Sequence, residues 1–100
     1  MFLQEISINI INYLQKKKEM SIDDIAKVMN STNEHIQKII NKKAFLKSEN
    51  LQSYFKNTNT LFWELAVEAD LLQYLPPKIK KNVLLCQHLS QSIKKSHLNH

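Results

Sequence analysis

The sequence predicts an all-α protein, a bundle of five to six helices, and three observations carry this prediction. Apolar residues recur at helical spacing along most of the chain, there is no glycine, and the only two prolines are adjacent. Sandwiches, barrels and nucleotide-binding folds need glycine for tight turns and for close approach to phosphate. A chain of 100 residues with 43% hydrophobic residues has the length and composition for one domain with its own core.

Spacing and capping signals predict the first two helices. Apolar residues between positions 3 and 14 predict the first, and the lysines at 16–18 fall in its last turn, where cations complement the helix dipole. Ser21 precedes Asp24 by three residues, which is the capping-box arrangement and predicts the start of the second helix. Residues 30–32 then form a short break, because Asn30 tolerates the left-handed conformation that a tight turn needs.

Four further helices follow. The third is predicted to turn Ile36, Ile39 and Ile40 inward, and Ser48 predicts the start of the fourth. The fifth is predicted to continue to the two adjacent prolines, since proline cannot continue a helix and disfavours it just before, and the sixth begins after them. We therefore expect a domain over residues 1–75 and a C-terminal helix over 76–100 that serves dimerisation or partner binding.

The second and third helices have the pattern of a helix-turn-helix over residues 21–43. Two short helices joined by a three-residue turn are typical of this motif, whose second helix lies in the major groove of DNA. The motif needs a small residue where the helices cross, which Ala26 supplies, and apolar residues that lock the crossing. Its predicted core consists of Ile25, Ala26, Met29, Ile36 and Ile39.

The same stretch resembles the lambda-repressor-like family, also called the XRE or Cro/C1-type helix-turn-helix. The matching residues are SIDDIAKVMNSTNEHIQKIINKK, and a weaker resemblance covers roughly residues 5–70. The resemblance implies a five-helix domain, usually a dimer, that binds a palindromic operator as a repressor or autoregulator. By position it implies base contacts by Asn33, Glu34 and Lys38, and phosphate contacts by Thr32, Asn41, Lys42 and Lys43.

Two residues at the start of the third helix have more than one interpretation. His35 stands beside hydroxyl residues and suits a phosphate contact, although a surface histidine is also common there. Glu34 could accept a hydrogen bond from cytosine, or it could be the capping-box partner of Ser31, three residues before it. Asn30 and Lys42 stand where the family usually or often has glycine.

Charge and apolar content predict the partners. The net charge is +5, from 14 lysines and no arginine against nine acids, and a basic balance favours nucleic acid. Residues 58–74 contain three acids and no lysine, whereas 75–100 contain five lysines and no acid, so these segments could pair within one chain or between two. The predicted homodimer interface consists of Phe62, Trp63, Leu72, Val83 and Leu89.

The sequence therefore predicts a cytoplasmic regulator that binds double-stranded DNA, with an antitoxin-like or anti-repressor interaction module as the alternative. No glycine-rich phosphate loop and no catalytic constellation is visible, so we expect no enzyme activity and no cofactor. We also expect no small-molecule ligand. Cys86 has no partner for an internal disulfide, and the C-terminal histidines do not make metal-ligand spacing with it. No apolar run is long enough for a membrane span.

Overall fold

The chain folds into α-helices joined by short turns. A computed structural model describes residues 2–98, with side chains for residues 3–90. Over these residues the elements are α1 (Phe2–Lys16), α2 (Ile22–Val28), α3 (Asn33–Ile40), α4 (Ser48–Thr58), α5 (Phe62–Glu68), a short 3-10 turn (Leu72–Tyr74) and α6 (Pro77–Leu98). The described part of the chain contains no strand, so the predicted all-α class is confirmed.

Helix C-termini close without glycine. Five non-glycine residues adopt a positive φ of 53° to 63°, and each lies just after a helix: Glu19, Asn30, Lys42, Asn59 and Asp70. After α2, α3 and α5, the residue that follows the left-handed one donates its amide to the carbonyl five residues earlier. These bonds are Ser31 to Ala26, Lys43 to Lys38 and Leu71 to Ala66. This is the Schellman closure that glycine usually provides. The chain therefore makes sharp turns at a steric cost to each of these residues.

The core lies where α1, α2 and α3 meet. The largest fully buried side chains are Ile10, Ile11 and Leu14 of α1 together with Ile25, Met29, Ile36 and Ile39. All five residues expected in the core of the helix-turn-helix are buried, Ala26 included. Ile40 differs from the expectation, because it is 38% exposed and lies on the edge of α3 away from the core.

Polar side chains attach the neighbouring segments to this core. The buried Asn50 of α4 donates from Nδ2 to the carbonyl of Met29 at 3.1 Å and accepts from the Lys47 amide at 2.9 Å. The buried Ser7 hydroxyl accepts from the Leu46 amide at 2.8 Å. These bonds satisfy backbone groups that the turns would otherwise leave buried without a partner.

The fifth helix ends earlier than predicted. It stops at Glu68 instead of continuing to the prolines, because Asp70 is left-handed with φ of 58° and the chain turns there. The turn brings Leu71 into the core, where it is 4% exposed, and the 3-10 turn then leads to α6. Burial of Leu71 requires this reversal, which helical periodicity does not reveal.

α6 packs on α5 through its buried residue Val83. Val83 belongs to the same core cluster as α1 to α5, so its side chain is not available to a second chain. Among the described residues, no helix combines the length and hydropathy needed to cross a bilayer. Within the same residues, no group of three or more histidine, cysteine or acidic side chains could hold a metal ion.

Candidate nucleic-acid interface

α2 and α3 form a capped pair around a left-handed turn. Ser21 and Asp24 make the predicted capping box, with the Asp24 amide 3.1 Å from Ser21 Oγ and the Ser21 amide 3.3 Å from Asp24 Oδ2. Asn30 has φ of 53°, as the sequence predicted for the turn. The predicted recognition helix, about residues 32–41, corresponds to α3 with its caps Thr32 and Asn41.

The N-terminus of α3 is held by hydroxyl groups and not by Glu34. Thr32 Oγ1 accepts from the His35 amide at 3.1 Å, which makes Thr32 the N-cap. Ser31 Oγ lies 2.6 Å from His35 Nδ1, which fixes the imidazole beside the turn. The interpretation of Glu34 as the capping partner of Ser31 is wrong, because the residue three positions after the N-cap is His35.

Asn33 braces α3 against α2. It is half-buried, its Nδ2 donates to Asp23 Oδ1 at 2.6 Å, and its Oδ1 accepts from Gln37 Nε2. The resemblance implied a base contact by this amide, whereas in the structure both its nitrogen and its oxygen are hydrogen-bonded within the protein. A base contact by Asn33 would therefore exchange at least one of these bonds.

The face of α3 opposite the core carries Glu34, Lys38 and Asn41, which are exposed and spaced four and three residues apart, so that they follow one line along the helix. Glu34 Oε1 and Lys38 Nζ form an ion pair of 3.5 Å. Gln37 is also exposed, one residue before Lys38. Gln37 was not among the predicted base contacts. Its spacing of four residues from Asn33 already places both side chains on the same face of α3.

The groups expected at phosphates lie at both ends of α3. Thr32 is exposed at the N-terminus, and Asn41, Lys42 and Lys43 are exposed at the C-terminus. Residues 35–48 contain four lysines and no acid. Positive charge is therefore concentrated from the last turn of α3 into the following loop.

The five residues expected at a dimer interface are spread over different environments. Phe62 and Leu89 are exposed, Trp63 and Leu72 are half-buried against the core, and Val83 is buried. Leu85 was not among the predicted residues, although at 54% it has the highest exposed fraction of the large apolar side chains described on α6 up to residue 90. Leu85 and Leu89 are four residues apart and lie on one face of α6.

Residues 6–59 match the family model described as the M protein trans-acting positive regulator (MGA) HTH domain. The match covers more than half of the chain and includes the whole α2-turn-α3 unit. The chain belongs to this family. Curated proteins and solved structures gave no match.

Membership in the MGA HTH family makes this a helix-turn-helix domain of the kind that binds DNA in transcription regulation. It confirms the helix-turn-helix class that the sequence predicted. It does not support the lambda-repressor-like type in particular. The matched segment ends just after α4, so α5 and α6 lie outside the part that the family describes.

Proposed function

We propose that this MGA-family domain binds a specific double-stranded DNA site with α3 in the major groove and thereby regulates transcription. The observation that carries the proposal is the arrangement of α3. One face is locked by Ile36 and Ile39, and the opposite face presents polar side chains on a helix capped at both ends. A rigid helix with this division of faces suits insertion into the groove.

Base contacts are assigned to α3 and phosphate contacts to its ends. Lys38 donates to guanine O6 or N7, Gln37 matches the amide pattern of adenine, and Glu34 accepts from cytosine N4. Asn33 orients Gln37 through their shared hydrogen bond and contacts a base only after exchanging a partner. The phosphate contacts are Thr32, His35, Asn41, Lys42 and Lys43. These residues add affinity that depends on salt and little on sequence.

Selection from a randomised duplex pool at two salt concentrations tests the proposal. We expect enrichment of a short sequence that is bound less tightly at high salt and is lost when Asn33→Ala and Lys38→Ala are combined. Lys80→Ala on α6 is the matched control, because it removes a lysine from an exposed position that is remote in sequence from α3 and on the side of α6 opposite Leu85 and Leu89. Binding without sequence preference would contradict the proposal and favour the alternative interaction module.

We also propose that two copies bind a palindromic site together, through the exposed face of α6 that carries Leu85 and Leu89. These side chains are 54% and 50% exposed and lie one helical turn apart, so they form one continuous apolar contact. An apolar face of this kind on a helix is typical of a contact surface. The dimer then sets the distance between the two copies of α3.

Sedimentation of the protein at tens of micromolar tests the dimer. We expect Leu85→Glu combined with Leu89→Glu to give monomers, because it places charges within the apolar contact. Leu84→Glu, also at an exposed leucine of α6 but one residue out of line with that face, is expected to leave the dimer intact. A wild-type monomer would contradict the dimer but not DNA binding.

The sign of the regulation remains a prediction. The sequence favours a repressor or autoregulator in the cytoplasm without enzyme activity, whereas the family is described by the name of a positive regulator. A promoter carrying the selected site upstream of a reporter distinguishes them. Lower reporter output with the protein present supports repression, and higher output supports activation.

A further inference from the structure

The loop that follows α3, residues 41–47, carries an exposed aromatic ring beside lysines. Phe45 is 49% exposed, and Leu3 on the first turn of α1 is 58% exposed. Both line a shallow cleft of about 450 Å³, together with Gln4, Lys42, Lys43 and Ala44. None of the residues from 35 to 48 is acidic.

This loop is anchored on both sides of Phe45. On one side the Lys43 amide donates to the Lys38 carbonyl at 2.8 Å, and Gln4 Nε2 donates to the Lys42 carbonyl. On the other side Leu46 is buried and its amide donates to Ser7 Oγ at 2.8 Å. The backbone on both sides of Phe45 is therefore held to α1 and α3, and the ring between these anchors is half exposed.

The charges around Phe45 select the kind of partner. Lys42, Lys43 and Lys47 stand within three residues of the ring in sequence and are exposed. The loop continues directly from the exposed end of α3 at Asn41. Phe45 has lysines on both sides and lies next to the helix that we propose contacts DNA. This arrangement suits a contact with the same DNA better than a contact with a neutral protein surface.

We propose that Phe45 is a second DNA contact, which enters the minor groove beside the major groove that α3 occupies. This inference rests on the proposed function. Lys42 and Lys43 hold the flanking phosphates while the ring wedges between two base pairs. An apolar wedge unstacks the step it enters and bends the duplex, so a flexible pyrimidine–purine step is expected at that position of the site.

The test compares Phe45→Ala with Leu61→Ala, which truncates an apolar side chain that is 59% exposed, against 49% for Phe45, and that lies outside the segment matching the family. On the selected duplex, loss of the ring is expected to weaken binding about tenfold without changing the slope of affinity against salt, because an apolar contact releases no counterions. Lys43→Ala is expected to lower that slope by about one ion. Leu61→Ala is expected to bind as the wild type does.

The bend of the duplex is an independent observable, and energy transfer between dyes at the two ends of the duplex measures it. We expect the wild type to bend the site, Phe45→Ala to bend it less, and Phe45→Leu to restore part of the bend. A selected site bound and bent equally by Phe45→Ala would overturn this inference alone and assign the cleft to another partner, such as a protein. A wild type that selects no site would overturn the proposed function and this inference together.

Discussion

At the residue scale, the helix-turn-helix depends on a small number of buried polar side chains. Asn50 connects α4 to the end of α2 by donating to the Met29 carbonyl and accepting from the Lys47 amide. Both partners are backbone groups at turns, where no helix or strand supplies a hydrogen bond. The position of the turn before α3 therefore depends on a side chain 20 residues farther along the chain.

We expect Asn50→Ala to lower the free energy of unfolding by about 2–3 kcal/mol, because it leaves the buried Met29 carbonyl without this donor and also removes the acceptor of the Lys47 amide. Asn57→Ala is the matched control, since Asn57 Nδ2 donates to the Val28 carbonyl at 3.0 Å from an exposed position where water can replace it. Its expected cost is below about 1 kcal/mol. Urea unfolding followed by circular dichroism measures both, and equal effects would contradict the role given to Asn50.

At the scale of the element, α3 has an N-cap that stabilises the helix and a carboxylate, Glu34, that opposes binding to a polyanion. Thr32 satisfies the N-terminus, so Glu34 is not needed as a cap and pairs with Lys38. The pair is exposed, and such pairs add little to stability. Its main consequence is electrostatic, because on the face that we propose contacts DNA the Glu34 carboxylate offsets the charge of Lys38.

We expect Glu34→Gln to raise affinity for duplexes of unrelated sequence about threefold to tenfold at low salt, with a smaller gain as salt screens the charge. Glu64→Gln on α5 removes the same charge outside the segment that matches the family and is expected to have little effect. Fluorescence anisotropy with labelled duplexes measures both. At the selected site we expect affinity to fall instead, because Glu34 is proposed to accept from cytosine N4 there. An equal gain on selected and unrelated duplexes would contradict that base contact.

At the scale of the whole molecule, α1 joins the helix-turn-helix to the C-terminal elements. The Tyr13 hydroxyl donates to Glu68 Oε2, at the end of α5. Burial raises the pKa of Tyr13 well above its ordinary value, and the hydrogen bond to the Glu68 carboxylate raises that pKa further. The folded protein therefore favours the neutral phenol.

Because the folded pKa is raised, this contribution to stability is complete below the unfolded pKa of about 10 and is lost as the pH rises above it. Tyr13→Phe is expected to be less stable than the wild type at neutral pH and to lose less stability between about pH 9 and 11. Thermal unfolding over this range measures the difference. If the stabilities of the wild type and Tyr13→Phe fall in parallel across this pH range, ionisation of Tyr13 is not linked to folding.

The helical class, the place of the helix-turn-helix and its apolar core could be predicted from the sequence, because they depend on local periodicity and capping. The Ser21 box, the left-handed Asn30 and the limits of α3 follow from neighbours within a few residues. The proposed interface was predicted less completely, since the sequence indicated Lys38 and the loop lysines but not Gln37 and Phe45, which we propose from their exposure in the structure.

The exposure of the polar residues on α2 and α3 could not be predicted from the sequence and depends on the tertiary structure. Asn33 turned out to be bonded to Asp23, ten residues earlier, and Val83 was drawn into the core that α1 to α5 share. The early end of α5 was likewise decided by the burial of Leu71. Each outcome depends on contacts between segments that are distant in sequence or on competition for the core, and no pattern of spacing along the chain contains that information.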